Sequence, residues 1–164
     1  MLWLDVALIL SILSCSLVAG FIFTFAIVVM PGISKLNDKD FIRAFQVTDA
    51  VIQNNQPLFM VTWVGSIVAM LLTILASLGS LGFSEAWLIV LVCFLYLLGV
   101  QGITIIIHIP MNRQIQKLKI KEANYRDLAN ERLKFERRWN FFNHIRAGIA
   151  ISVSLLLLVI LSLR

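Results

Sequence analysis

Four apolar stretches, each about as long as a membrane is thick, constrain this chain more than any other feature. They cover about residues 2–30, 58–78, 85–109 and 141–163. About 20 apolar residues in an α-helix cross the hydrocarbon core of a bilayer, whereas the strands of a membrane barrel are roughly ten residues long and alternate in polarity. The four stretches are longer than the strands of a membrane barrel, and their residues do not alternate in polarity. The sequence therefore predicts an all-α integral membrane protein, a four-helix bundle.

Composition supports the same conclusion. Of the 164 residues, 60% are hydrophobic, and the mean hydropathy is +0.91, which is more apolar surface than one soluble core of this size could bury. No repeat or low-complexity linker divides the chain, so we predict one transmembrane domain over residues 1–164. Membrane lipids are the expected partners, and assembly into a homo-oligomer stays open.

The net charge is +5, and 13 of the 14 lysine and arginine residues lie in two long loops, which occupy residues 31–56 and 110–147. Basic loops next to spanning helices usually lie on the cytoplasmic side of a membrane. We therefore predict that these two loops are cytoplasmic and that both termini are not. Because the basic residues sit between spans, where membrane orientation explains them, we expect no nucleic-acid binding.

Both long loops carry helical signals. Pro31 and Gly32 are expected to end the first span, and Asn37 followed by Asp40 is typical of a helix N-terminus. The short helix that follows should place an apolar face on the membrane surface or over the mouth of the bundle, and its expected members are Phe41, Phe45, Thr48 and Ile52. Residues 113–135 are charged and lack proline and glycine, so we predict a cytoplasmic helix that continues into the fourth span.

The polar segment FERRWNFFNHIR, residues 135–146, enters the last apolar stretch. At about 100° per residue, one helical face carries five of its residues, which are Glu136, Trp139, Asn140, Asn143 and Arg146. Polar groups at membrane depth cost several kcal/mol each unless protein or water satisfies them. We therefore predict that this face lines a protein cavity, near His108 and Asn112 at the end of the third span.

Two interpretations of this cluster stay open. Glu136 could act as a general base, with Arg146 or His108 stabilising an enolate or phenolate oxygen and Trp139 stacking on a flat ring. Alternatively, the cluster is a structural network that ties the third helix to the fourth.

A metal or haem site also stays open. His108 and His144 are the only histidines, and neither belongs to a metal-ligand motif such as HxxxH. Together with Glu136 they could bind copper or iron if the fold brought them together, and either could be an axial haem ligand.

Several motifs, in this order, resemble the anthrone oxygenase-like family of small four-helix membrane proteins, most of which have no known function. They are VMPG (29–32), FIRAFQVTDAVIQN (41–54), PLF (57–59), GS (65–66), PMN (110–112) and FERRWNFFNHIR (135–146). The resemblance covers nearly the whole chain. The positions that match the family pattern are Asn54, Asn112, Glu136, Trp139, Asn140 and Arg146.

The resemblance implies an activity, because characterised members of the family oxidise anthrones to anthraquinones with molecular oxygen. Our leading hypothesis is a membrane oxidoreductase, cofactor-independent or metal-dependent, that acts on or binds a flat hydrophobic phenol or quinone. Glu136 and Arg146 would be catalytic, and the substrate would be bound by Asn54, Asn112, Trp139, Asn140 and Asn143. The rival hypothesis is a non-catalytic protein, either a lipid or quinone binder or an assembly subunit.

Overall fold

The computed structural model describes residues 2–164, which form helices and no strand. Four helices are long and apolar enough to cross a membrane, and a fifth, shorter helix follows the first of them. In chain order they are α1 (Leu2–Ile33), α2 (Asp38–Gln53), α3 (Pro57–Leu81), α4 (Phe83–Gln116) and α5 (Tyr125–Ser162). The predicted all-α bundle with a short helix in the first loop is confirmed.

The four long helices pack as a bundle in which α1 and α4 each contact both α3 and α5. The middle of the bundle is filled by apolar side chains such as Leu8, Met70 and Leu157, which are fully buried. Large apolar side chains also cover the outside, as Leu75 and Leu98 do at more than 60% exposure. A surface of this kind suits lipid and would be unfavourable in water. The chain is a multi-pass integral membrane protein.

Two prolines lie inside spanning helices and do not end them. A stretch of π-helix, Phe25–Val29, precedes Pro31, and another, Thr104–His108, precedes Pro110. Proline has no backbone N–H and its ring clashes with the carbonyl four residues earlier. The wider π turn bonds residues five apart, so the helix continues past the proline. The two helices therefore continue to Ile33 and Gln116, past the predicted span ends at residues 30 and 109.

Helix α2 covers the end of the bundle that carries both long loops, which we call the loop end. The side chain of Asn37 accepts a hydrogen bond from the backbone N–H of Asp40 at 2.9 Å, as the sequence predicts. Phe41 and Phe45 are buried against α5, but Thr48 is exposed and Asp49 is buried in its place. The expected apolar face is therefore rotated, and it carries a carboxylate into the protein.

Helix α5 runs without interruption from the charged segment into the fourth span, which confirms the predicted continuity. It begins later than predicted, at Tyr125, after residues 117–124 form a turn region. The side chain of Asn124 accepts a hydrogen bond from the backbone N–H of Asp127 and so caps the helix.

One arginine ties the loop after α1 to α5. The guanidinium of Arg132 donates hydrogen bonds to the carbonyl oxygens of Ser34 and Leu36 at 2.6 and 2.8 Å. It also forms ion pairs with Asp38 at 3.0 Å and with Glu136 at 2.9 Å. These contacts hold α2 in place over the loop end, and they occupy the carboxylate of Glu136.

We expect replacement of Arg132 by methionine to lower the melting temperature of the purified protein by about 5 °C, since four polar partners lose a charged donor. Thermal unfolding in detergent measures this. Arg137→Met is the matched control, because Arg137 is exposed on the same helix and should leave the melting temperature nearly unchanged. Equal melting temperatures for the two variants would contradict the assigned role of Arg132.

Candidate functional site

A cavity of about 280 Å³ lies at the loop end, and all five helices contribute to its wall. We call it the loop-end cavity. Its wall combines aromatic rings with a few polar side chains, a composition typical of small-molecule sites. The rings are those of Phe21, Phe25, Phe45, Phe59, Trp63 and Trp139. The polar members include Asp49, Gln53, Thr104, His108, Asn112 and Arg146.

The carboxylate of Asp49 is 3% exposed and is satisfied by neutral amides. One oxygen accepts from Asn112 at 2.7 Å, and the other accepts from Gln53 at 2.7 Å and from Gln116 at 3.0 Å. No lysine or arginine among residues 2–164 forms an ion pair with it. A buried charge needs such bonds to offset its lost hydration. Gln53 lies on α2 itself, so the amides of Asn112 and Gln116 hold α2 against the end of α4.

The same network extends to α5 through Asn112. The indole N–H of Trp139 donates to the side-chain oxygen of Asn112 at 2.9 Å. The indole also packs edge-on against the rings of Phe45 and His108, with centroid separations of 5.8 and 5.0 Å. The side-chain nitrogen and oxygen of Asn112 are thus both hydrogen-bonded. These contacts fix the orientation of the Trp139 ring in the cavity wall.

Arg146 brings a buried positive charge to the cavity, since its side chain lies within the bundle and the residue is 8% exposed. Its Nε and Nη2 donate to the side-chain oxygen of Asn143 at 3.0 and 2.8 Å, and its Nη1 donates to Thr104 at 3.0 Å. A guanidinium carries five N–H groups, so two are left over. Within residues 2–164 no carboxylate forms an ion pair with it.

His108 is the second polar group with unused hydrogen-bonding capacity. The residue is 2% exposed, and neither ring nitrogen makes a hydrogen bond of good geometry within residues 2–164, although the backbone of Phe142 lies beside the ring. A neutral imidazole has one donor and one acceptor nitrogen, and buried polar atoms in proteins are nearly always paired. An imidazole with both nitrogens unpaired in a cavity wall is suited to meet a bound molecule.

The cavity brings together His108, Asn112, Trp139 and Arg146, four of the residues that the sequence singled out. Asn143 lies behind Arg146 and donates to the carbonyl oxygen of Ile22 at 3.3 Å, so it positions the guanidinium.

Two predicted substrate-binding residues do not line the cavity. Asn54 is exposed just after α2, where its neighbours Gln53 and Asn55 line the wall instead. Asn140 is also absent from the wall, and its side-chain oxygen is buried without a partner among residues 2–164. Helix geometry explains Asn140, because its side chain lies about 100° around α5 from that of Trp139. Asn54 lies in the turn that follows α2.

The predicted juxtaposition of Glu136 and Arg146 is not found. The two residues are ten positions apart on one straight helix, which corresponds to roughly 15 Å along its axis. Glu136 is bound to Arg132 one turn earlier and does not line the loop-end cavity. A helical wheel shows angular position only, so it placed on one face two groups that lie at different depths.

The structure does not assemble a metal site from His108, His144 and Glu136. His144 is exposed, and its Nδ1 lies 2.6 Å from the backbone oxygen of Asn140 on its own helix. Residues 2–164 contain no group of three or more His, Cys, Asp or Glu side chains that could hold a metal ion.

Asp49 is the site residue that the sequence analysis missed. It follows Phe41 and Phe45 at intervals of four residues. That spacing puts it on the buried stripe of α2. A carboxylate at the i+4 position of an apolar stripe was the signal that could have identified it.

We expect Asp49→Asn to destabilise the protein by about 1–3 kcal/mol. The new side chain has an NH₂ group in place of one oxygen, so that group would face the amide donors of Asn112, Gln53 or Gln116 without an acceptor. Denaturation in detergent, followed by tryptophan fluorescence, measures the change. Glu122→Gln is the control, because it removes a carboxylate whose side chain is 70% exposed, and it should have almost no effect. A fully stable Asp49→Asn variant would show that the network is not required.

Comparison with known proteins gives one family. The family model described as anthrone oxygenase matches residues 50–156, which is more than half of the chain and includes His108, Asn112, Trp139 and Arg146. No curated protein matches the chain significantly. No solved structure does so either. On the evidence of the family match, which agrees with the four spanning helices, the chain belongs to the anthrone oxygenase family.

Proposed function

We propose that this protein is a membrane oxidoreductase that oxidises a flat hydrophobic phenol or anthrone with molecular oxygen in the loop-end cavity. The observation that carries the proposal is the buried guanidinium of Arg146, which has no carboxylate partner in residues 2–164 and shares an aromatic-walled cavity with His108. An uncompensated buried cation favours an anionic partner. An enolate or phenolate oxygen is such a partner.

The wall of the cavity suits a flat aromatic ring. The rings of Phe25, Phe45 and Trp139 belong to the cavity wall, so a bound ring would pack against aromatic side chains. At about 280 Å³ the cavity is close to the lower end of the ~300–1,000 Å³ typical of small-molecule sites. A cavity of this volume suits a ligand of a few fused rings better than a large cofactor.

The chemistry begins with proton removal. One ring nitrogen of His108 takes a proton from the CH₂ group opposite the substrate carbonyl, which leaves the negative charge largely on the carbonyl oxygen. The two free N–H groups of Arg146 stabilise that oxygen, because donors fixed in a poorly hydrated site are more effective than water. His108 takes the role of base in place of Glu136, which is bound to Arg132 and lies outside the cavity wall.

Oxygen then reacts with the enolate. The carbon that lost the proton bonds to one oxygen atom, and the peroxide anion takes back the proton held by His108. His108 then takes the second hydrogen of that carbon as a proton, and the O–O bond breaks. One oxygen atom remains as the new carbonyl, and the other leaves as hydroxide, which takes the proton from His108 and becomes water. The CH₂ group is oxidised by four electrons and O₂ is reduced by four.

The remaining site residues position these groups. Asn143 holds the guanidinium of Arg146 through two hydrogen bonds, and Asn112 with Asp49 fixes the ring of Trp139. We place the loop end on the cytoplasmic side of the membrane, because most of the lysine and arginine residues lie in the two long loops. The substrate would then be oxidised close to the cytoplasmic surface.

A second candidate function is non-catalytic binding of a quinone or lipid. The network around Asp49 favours it, because that carboxylate is fully engaged and ties α2, α4 and α5 together. A binding protein would need the same cavity and the same cation at Arg146, but no base at His108. Turnover therefore distinguishes the two functions.

We expect His108→Leu to lower the rate of anthrone oxidation by about 10²–10⁴-fold and Arg146→Gln to lower it by about 10²–10³-fold, since one removes the base and the other the oxyanion donor. The rate is measured as oxygen consumption and as anthraquinone formation by protein in detergent. With ¹⁸O₂, one labelled atom should appear in the quinone.

Two controls separate chemistry from folding. His144→Leu removes the exposed histidine of α5, and Glu136→Gln removes the carboxylate bound to Arg132. Both variants should keep their turnover within about twofold of the wild type, although Glu136→Gln should melt at a lower temperature. If His108→Leu kept full turnover, the assigned base would be wrong. If the wild type bound an anthrone or quinone without oxidising it, the non-catalytic function would be favoured.

A further inference from the structure

A second cavity, of about 360 Å³, adjoins the loop-end cavity on the side of α1 and α3. Its own wall is mostly apolar, with Leu17, Val18, Ile22 and Leu58 among its members. Five residues line both cavities, namely Phe21, Phe59, Trp63, Thr104 and Arg146. The two spaces are therefore neighbours that meet at the guanidinium of Arg146.

The apolar path continues outward as a groove between α1 and α3. The groove, of about 680 Å³, shares Leu17 and Thr62 with the second cavity. It extends along α3 as far as Leu72, and the distance from Leu58 to Leu72 is roughly 20 Å at 1.5 Å per residue. We call it the α1–α3 groove. It lies on the surface of the bundle that faces lipid.

We propose that the ligand of this protein is an amphiphile, in which the phenol or anthrone ring of the proposed substrate, or the quinone ring of its product, carries a long alkyl or isoprenoid chain that lies in the α1–α3 groove. The inference rests on the proposed function, since it places the ring of the same ligand in the loop-end cavity. Three observations support it: continuity through shared wall residues, a single charged group at the junction, and an almost wholly apolar lining beyond it.

The distribution of charge matches such a molecule. Among residues 2–164, Arg146 is the one charged residue in the wall of the second cavity, and none of the charged residues lines the groove. The free nitrogens of His108 lie on the opposite side of the junction, in the loop-end cavity. A ring oxygen would thus meet Arg146 and His108, while the chain would pass between α1 and α3 toward the lipid.

The groove contributes to affinity through close packing more than through the hydrophobic effect. A chain that comes from the bilayer leaves one apolar surrounding for another, so it gains little from the hydrophobic effect. The remaining contribution to binding of the chain is close packing against the helices, and a bulky side chain in the groove can prevent that packing. The groove also provides a route by which a lipid-dissolved substrate reaches the cavity without crossing water.

Gly65, part of the groove wall, gives a direct test. A Cβ atom added there meets no other atom within 4 Å, so Gly65→Leu can be accommodated and should fill the groove. Gly148→Leu is the matched control, because Gly148 is equally open and is not part of either cavity wall or of the groove. Val68→Phe, at a second position of the groove wall, repeats the test independently.

Binding is measured in lipid nanodiscs by quenching of tryptophan fluorescence, with a decyl-substituted benzoquinone and its methyl-substituted counterpart as probes. We expect Gly65→Leu and Val68→Phe to raise the Kd of the decyl compound about fivefold or more, equivalent to ~1 kcal/mol. Both variants should bind the methyl compound as the wild type does. Gly148→Leu should not change the Kd of either compound.

The outcomes separate this inference from the proposed function. If the decyl compound bound equally well to the wild type, Gly65→Leu and Val68→Phe, the groove assignment would be overturned, while the roles of His108 and Arg146 in oxidation would be unaffected. Equal weakening of both compounds would also overturn it, since the substitutions would then act on the ring site. If the wild type bound neither compound, both the groove assignment and the proposed ring site would fail.

Discussion

Two charged side chains buried in an otherwise apolar bundle determine how the loop end is built. Asp49 and Arg146 are each less than one-tenth exposed, and neither forms an ion pair within residues 2–164. Asp49 is satisfied by amides from α2 and α4. Arg146 is only partly satisfied, by Asn143 and Thr104. The first charge holds the fold together, and the second is left available to a ligand.

This arrangement explains why the connecting helix belongs to the site. Without α2, the ends of α4 and α5 would expose Asn112 and Trp139 to the loop region, and no closed wall would form around Arg146. The ion pairs of Arg132 keep α2 in position from the other side. The four spanning helices therefore supply His108 and Arg146, and the loop helix gives the cavity its closed end and a structural carboxylate.

Much of this could be predicted from the sequence, because the length of an apolar stretch and the period of a helix are local properties. These local properties predicted the four spanning helices, the cap at Asn37 and the inward position of Trp139 and Arg146. Helix ends at Pro31 and Pro110 were predicted too early, since π turns compensate for the missing N–H groups. The hydrogen-bond and ion-pair partners of the polar side chains were the hardest feature to predict. Glu136 pairs with a residue one turn away, and the burial of Asp49 depends on amides about 65 residues distant.

The contact between Asp49 and Asn112 is the most direct test of this account, because it joins the loop helix to a spanning helix. A double-mutant cycle with Asp49→Ala and Asn112→Ala measures their coupling free energy in thermal or denaturant unfolding. We expect a coupling of about 1–3 kcal/mol and almost none in a parallel cycle of Asp49→Ala with His144→Ala. A coupling near zero for the first pair would mean that α2 does not close the cavity, and the proposed site would lose its basis.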